Sequence, residues 1–397
     1  MRALPIITDP VFAKPVQYTR YERFWLKYIN DERDLPFIHM LTGIHLLVIP
    51  IAVILFTSLL SGGAWWLLYI PYFYISQLYY KGRFGLMLHC ISHRKLFKKS
   101  YTWLYNYVIW VVCPFFGHTP ETYFVHHMGM HHVENNHDED ASSTMRYQRD
   151  SLLGFLKYVG RFVTFGLVDT FSYFFARKRK KFYMRLTFGE VSYYLACIGL
   201  WFVNWQATLL IFLLPLFFAR IVMMIGNWSQ HAFIDPNNPE ENTINCINTK
   251  YNHTCWNDGY HEVHHHRPAL HYTEIPNEFM KHTNRYAEEK ILVFDGIHYL
   301  HIFLWLMGKR YDKLADHLVN INGMYPSKEA AIELLKSRTA IYQLIAGSFS
   351  SRALVLIAPT CWVCTPFNNT NCSRILPPIS SNASRACLET PPDPART

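Results

Sequence analysis

Residues 41–80 read LTGIHLLVIPIAVILFTSLLSGGAWWLLYIPYFYISQLYY, a run without one Asp, Glu, Lys or Arg that is punctuated at Ser61-Gly62-Gly63. A bilayer core needs about 17–25 helical residues, so each half is long enough to cross. The pair predicts a hairpin of spans at 41–60 and 64–80. A second hairpin is expected at 186–203 and 207–226, joined by the uncharged Asn204-Trp205-Gln206. Composition agrees, with 50% of the 397 residues hydrophobic, 16% aromatic and only 17% charged, against about 25% charged in an ordinary soluble domain. The expected fold is all-α, a polytopic membrane protein with four transmembrane helices in two hairpins and a cytoplasmic helical cap.

The net charge of +9 fits this scheme. Arg177, Lys178, Arg179, Lys180 and Lys181 precede the third span, and Lys81, Arg83, Arg94, Lys95, Lys98 and Lys99 follow the second, whereas the hairpin links carry no charge. The positive-inside rule places both termini and all basic loops in the cytoplasm, which removes nucleic acid as the reason for the charge. Residues 1–9 lack the apolar core of a secretory signal, so insertion is expected to rely on the first span.

Other segments are assigned by what they lack. Residues 102–117 are uncharged but short and contain Pro114, which suits a re-entrant or protein-buried segment. Residues 152–175 are aromatic yet carry Lys157, Arg161 and Asp169, as an interfacial helix does, and 291–308 reads similarly. Ser327 is the expected N-cap of a short helix ending at Arg338. The expected organisation is a cytoplasmic N-terminal segment with an interfacial helix over 1–40, a membrane domain over 41–310, a cytoplasmic helical segment over 311–340 and a disordered tail over 341–397. In that tail, Cys361 and Cys364 form a lone CxxC, and sequons at Asn368, Asn371 and Asn382 are chance matches if the tail is cytoplasmic. Cys90, Cys113, Cys197, Cys246 and Cys255 show no disulfide framework.

The chemistry lies in the histidines. His89 and His93 stand four apart; His127, His131 and His132 form HMGMHH; His231 ends NWSQH; His261, His264 and His265 form HEVHH. Residues three or four apart share a helical face, so each cluster can aim imidazoles at one point. The first two clusters follow span two and the last two follow span four, so all emerge on one face of the membrane. A closed zinc site takes four ligands and a catalytic one three, so two metals account for nine imidazoles better than one. Imidazole alone does not choose the element.

A lone histidine is ordinarily a surface or core side chain, and His39, His45, His253, His282, His298, His301 and His317 are read so. His118, His126, His137, His266 and His271 lie beside the clusters as supporting or surface groups, with His127 preferred over His126 because it shares a helical face with His131. A ligating imidazole needs its other nitrogen hydrogen-bonded, and Asp138, Glu139, Asp140, Asp258 and Glu262 are available.

Three rival readings use fewer of these residues. His261-Glu262-Val263-His264-His265 matches the HExxH of zinc metalloproteases but leaves six histidines unexplained. Glu134-x-x-His137 and Glu262-x-x-His265 match part of a carboxylate di-iron pattern, which also wants two glutamates from other helices, and only Glu190 lies in a span. A transporter or metal-storage protein would need inward-facing polar groups at mid-membrane, where only His45 stands.

The series HCISH, HHMGMHH, NWSQHAF and NDGYHEVHHHRP resembles the histidine boxes of the membrane fatty acid desaturase and hydroxylase superfamily, over about residues 41–308. The resemblance implies a di-iron centre (two iron ions) held by His89, His93, His127, His131, His132, His231, His261, His264 and His265, with no catalytic residue beyond the ligands. It also implies a place for Asn227 near a metal through water. It implies dioxygen chemistry on a fatty acyl lipid or acyl-CoA, with loss of two hydrogens giving an alkene and rebound of oxygen giving an alcohol. A fatty acyl desaturase is the expected enzyme. Lipid or alkane hydroxylation stays open, because the three residues between His127 and His131 also resemble the spacing of alkane monooxygenases. The chain has no His-Pro-Gly-Gly haem motif and no GxGxxG, so the resemblance implies an external electron donor such as cytochrome b5 or ferredoxin. The endoplasmic reticulum is the expected membrane, with a plastid or bacterial inner membrane as alternatives.

Overall fold

The structure, a computed structural model, describes residues 1–342 apart from 58, 236 and 240. Cys361, Cys364 and the three sequons lie outside the described residues, as does all but the first two residues of the 341–397 tail.

Three helices among the described residues are long and apolar enough to cross a membrane: Glu32–Phe56, Lys180–Val203 and Trp205–Gln230. The first begins nine residues before the expected position 41. Asp31 starts it by accepting from Arg33 N at 3.0 Å, and Pro36 sits at the N-terminus of the following turn, where its missing N–H costs nothing. The expected span 64–80 is helical but is not among the three, so length and apolarity mark three of the four expected crossings. It lies in the run Gly62–Phe73, Tyr74–Tyr80 and Lys81–His93, whose tryptophans and tyrosines, with Pro71 and Gln77, dilute its apolar character.

Segment 102–117 is helical throughout, as Thr102–Tyr107, Val108–Val112 and Cys113–Phe116, with Val108, Val112, Cys113 and Phe116 buried. Two glycines let it and the following loop approach the second hairpin. A Cβ on Gly117, whose φ is +76°, would stand 2.0 Å from the Pro215 carbonyl oxygen, and one on Gly189 would stand 1.9 Å from that of Pro120. Helix Leu152–Ala176 begins at Ser151, whose hydroxyl accepts from Gly154 N at 3.1 Å. Its Phe155 and Tyr158 pack on Trp228, while Leu153, Leu156, Val168 and Phe175 are exposed.

The region after Gln230 departs from all-α. Asn245–Ile247 and Val293–Asp295 pair as a two-stranded parallel sheet with Cys246 opposite Phe294. The expected interfacial segment 291–308 is therefore a buried strand followed by the helix Tyr299–Met307. A short apolar run such as Ile291-Leu292-Val293-Phe294 has no periodicity that separates strand from helix. Ile244, Cys246, Leu292 and Phe294 pack with Ile302, Leu306, Leu314 and Leu318 into one core.

The N-terminal segment is stitched onto this core. Arg2 bridges in parallel to Val319, and the buried Asp9 accepts from Asn248 N at 2.7 Å and Tyr260 OH at 2.6 Å. Within it, Arg20–Trp25 is a short helix with a Thr19/Glu22 capping box and no buried residue. As expected, Ser327 caps the helix Lys328–Ser337, accepting from Ala330 N at 3.2 Å.

Candidate metal centre

All nine histidines singled out from sequence fall into two groups. His89, His93, His127, His132 and His264 form one, and His131, His231, His261 and His265 form the other, with the ring nitrogens of each group all within 4.8 Å of one another. The two groups abut, since the His132 ring lies 4.9 Å from that of His265.

Helix geometry explains most of this division. His89 and His93 lie one turn apart at the end of Lys81–His93. In the helix His261–His266, His261 and His265 share one face and join the second group, while His264 points to the first. The middle cluster corrects a sequence expectation. In an α-helical register His127 would share its face with His131, but His127–His131 forms a wide π-turn, with hydrogen bonds five residues apart. His127 therefore meets His132, five residues on, with their Nε2 atoms 3.1 Å apart, and His131 turns to the second group.

The donor set fits metal. In the first group the Nε2 of His89 is 2.7 Å from that of His264, and His93 is 3.0 Å from His127; in the second, His261 is 3.3 Å from His231 and 3.1 Å from His265. Imidazoles bound to one ion at about 2.0–2.1 Å bring their nitrogens to roughly 2.9–3.4 Å for angles between square and tetrahedral. The opposite ring nitrogens are held from outside. His89 Nδ1 donates to Asp258 Oδ1 at 3.1 Å, His131 Nδ1 to Asp140 Oδ2 at 2.7 Å and His231 Nδ1 to Asn242 Oδ1 at 2.6 Å. Such bonds fix the tautomer and turn the Nε2 lone pairs inward, where they repel one another unless a cation is shared. Burial, then mutual repulsion, pushes the imidazoles of His261, His264 and His265 well below their usual range, with His231 at about 3 and His132 at about 2. Lone pairs free of protons are what a metal requires. Each group can therefore hold a metal ion.

Of the carboxylates expected nearby, Asp140 and Asp258 take the supporting place. The others face elsewhere: Asp138 pairs with Arg146, Glu139 and Glu134 with Arg177, and Glu262 with Arg285 and His266. Asn242, eleven residues beyond its histidine, stands at no spacing that could have pointed to it. Asn227 stands one turn before His231, and its amide nitrogen donates to Ser142 O and to Tyr158 OH, both at 2.8 Å. His271 is structural, with its Nε2 3.1 Å from Asp34.

Both groups form a wall of a cavity of about 380 Å³, within the range of small-molecule sites. His89 and His127 line it from the first group, and His131 and His261 from the second. Opposite them it is apolar, with Val222, Met223 and Ile225 on Trp205–Gln230. Sequence reasoning missed three glycines that open it. Gly82, Gly85 and Gly226 line the cavity, and a Cβ on Gly82 or Gly226 would meet no atom within 4 Å.

Long apolar helices together with nine imidazoles gathered into two groups define a class, the histidine-rich membrane proteins with room for two metal ions. The fatty acid desaturase family model matches residues 64–295, more than half of the chain, and the protein belongs to that family. No curated protein and no solved structure matches it. Membership makes the protein an oxidoreductase of lipid metabolism whose family generally uses iron and acts on fatty acyl substrates with oxygen.

Proposed function

We propose that this protein is a membrane-bound, dioxygen-dependent fatty acyl desaturase that introduces a double bond at a di-iron centre held by the nine histidines. The observation carrying this reading is the pair of abutting all-imidazole groups that line one largely apolar cavity. Iron bound there would supply the oxidising power to remove hydrogen from an unactivated methylene, with electrons from an external donor such as cytochrome b5 or ferredoxin. The chain's own part is positional. Asp258, Asp140 and Asn242 aim the ligands, and the bare helix faces at Gly82, Gly85 and Gly226 leave room for a methylene chain beside them. Asn227, fixed by Ser142 and Tyr158 on the cavity wall, is placed to hold a water near the second group.

Contacts support four crossings with the centre on one face. Asn30 donates to the carbonyl oxygens of Lys95 and Phe97 at 2.7 and 3.0 Å, so the two ends of the first hairpin lie on the same side. The run Gly62–His93 must then cross whenever Glu32–Phe56 does. Asp9 reaches Asn248 and Tyr260, which requires an even number of crossings between them. By the charge pattern that side is cytoplasmic, and the endoplasmic reticulum is the proposed membrane.

The rival readings lose their residues to other partners. A metalloprotease needs the Glu262 carboxylate on the metal side, but it is held by Arg285 and His266. Transport needs an open polar path, and His45 is spent on Leu41 O at 2.6 Å and Tyr107 OH at 2.8 Å. The test is metal and lipid analysis of cells expressing the chain. About two irons per chain and new alkenes are expected, with no alkene from His131→Ala despite normal membrane insertion. An alcohol product would assign the hydroxylase reaction, and one zinc with no lipid product would refute the reading.

A further inference from the structure

The cavity lining includes a cation that the desaturase reading does not use. Lys81 lines it and is 95% buried, because its relative exposure is 5%. Its Nζ donates to Gln77 Oε1 at 2.8 Å, Phe116 O at 2.9 Å and Pro215 O at 3.1 Å. All three acceptors are neutral, and among the described residues no carboxylate pairs with it. Glu190, the acid in the third span, instead accepts from Thr119 and Thr122 and lies 3.7 Å from Arg220. Hydrogen bonding at Lys81 is met and the Phe218 ring centroid lies 5.0 Å from its Nζ, but among the described residues no anion balances its charge, and a buried charge is ordinarily paired.

The helix face that begins at Lys81 leads to the histidines. Lys81, Gly85 and His89 stand four apart on Lys81–His93, and all three line the cavity with Gly82 between them. Eight residues of helix set the backbone positions of Lys81 and His89 about 12 Å apart along the axis, the length of roughly nine carbons of an extended chain.

Resting on the reading that this cavity takes an acyl chain, we propose that its ligand is a free long-chain carboxylate whose anionic end is seated at Lys81. The methylenes run along the glycine-bared face to the histidine groups. The reacting carbon is then set by its distance from the carboxylate. Lys81 is a specificity residue in this scheme, and the substrate needs no soluble carrier.

The experiment is equilibrium binding of radiolabelled palmitate and of cetyl alcohol, its uncharged counterpart, to the purified full chain in lipid nanodiscs. Wild type should bind palmitate about tenfold or more tightly than the alcohol, the scale of one charge-assisted contact. Lys81→Met should bring the two affinities together, and Lys81→Arg should keep them apart. Equal affinities in wild type, or a preference that survives in Lys81→Met, would overturn the proposal and leave Lys81 as a strap between helices. The wild-type ratio decides even where Lys81→Met fails to fold. Should neither probe bind, and the cavity-filling Gly82→Leu change nothing, the acyl-chain reading itself falls and the proposal with it.

Discussion

Removing the Asp258 carboxylate should weaken one metal position and spare the other. Its Oδ1 accepts from His89 Nδ1 at 3.1 Å, and its Oδ2 accepts from Tyr251 OH at 2.6 Å and Gln230 Nε2 at 3.3 Å. Asp258→Ala leaves the His89 ring without its outer anchor, free to turn its lone pair off the shared point. Loss of such a partner typically lowers metal affinity 10–100-fold, or about 1.4–2.7 kcal/mol. Only the first group should feel it, because the second is aimed by Asp140 and Asn242. The unpaired Tyr251 and Gln230 add a folding cost of about 1–3 kcal/mol each. The assay is removal of iron by graded chelator, followed optically. Wild type should release its irons at similar chelator strengths, Asp258→Ala should release one early, and Asp140→Ala should release the other early. If both irons leave together in Asp258→Ala, or neither leaves early, in protein with wild-type circular dichroism, the division into two separately supported groups is wrong.

Other outcomes can be read more simply. Gly117→Ala puts a Cβ into the left-handed region at 2.0 Å from Pro215 O and should cost at least about 2 kcal/mol in thermal unfolding. Ser327→Ala removes the cap on Ala330 N and should cost about 1 kcal/mol with metal content unchanged. The Arg33 side-chain hydrogen bond holds the Asp31 carboxyl down at about 2, against an ordinary 3.8. A depressed carboxylate stabilises the fold above its ordinary range, so stability should fall as pH drops from about 3.8 towards 2. Asp31→Asn should show a shallower fall than wild type across that window in acid-unfolding scans.

The reach of the sequence differed from element to element. The histidine spacings named all nine residues that come together, because ligand types at helical intervals survive whatever tertiary path connects them. Their division did not follow from spacing, since a π-turn at His127–His131 exchanges His131 for His132 and its residues give no warning of the wider turn. Apolar length marks three of the helices clearly and 64–80 less so, because aromatic residues there make hydropathy alone ambiguous. The strand Val293–Asp295 was hidden because its partner lies nearly fifty residues away. Cavity glycines were equally silent, being visible only as space.

The stitching of residues 2–9 onto 248–260 and 319 constrains biogenesis. A stretch translated before every span must wait, unpartnered, until the last span has been inserted and the loops beyond it have emerged. Tyr260 precedes His261 in the chain, so completing this late clasp also settles the helix that serves both metal positions.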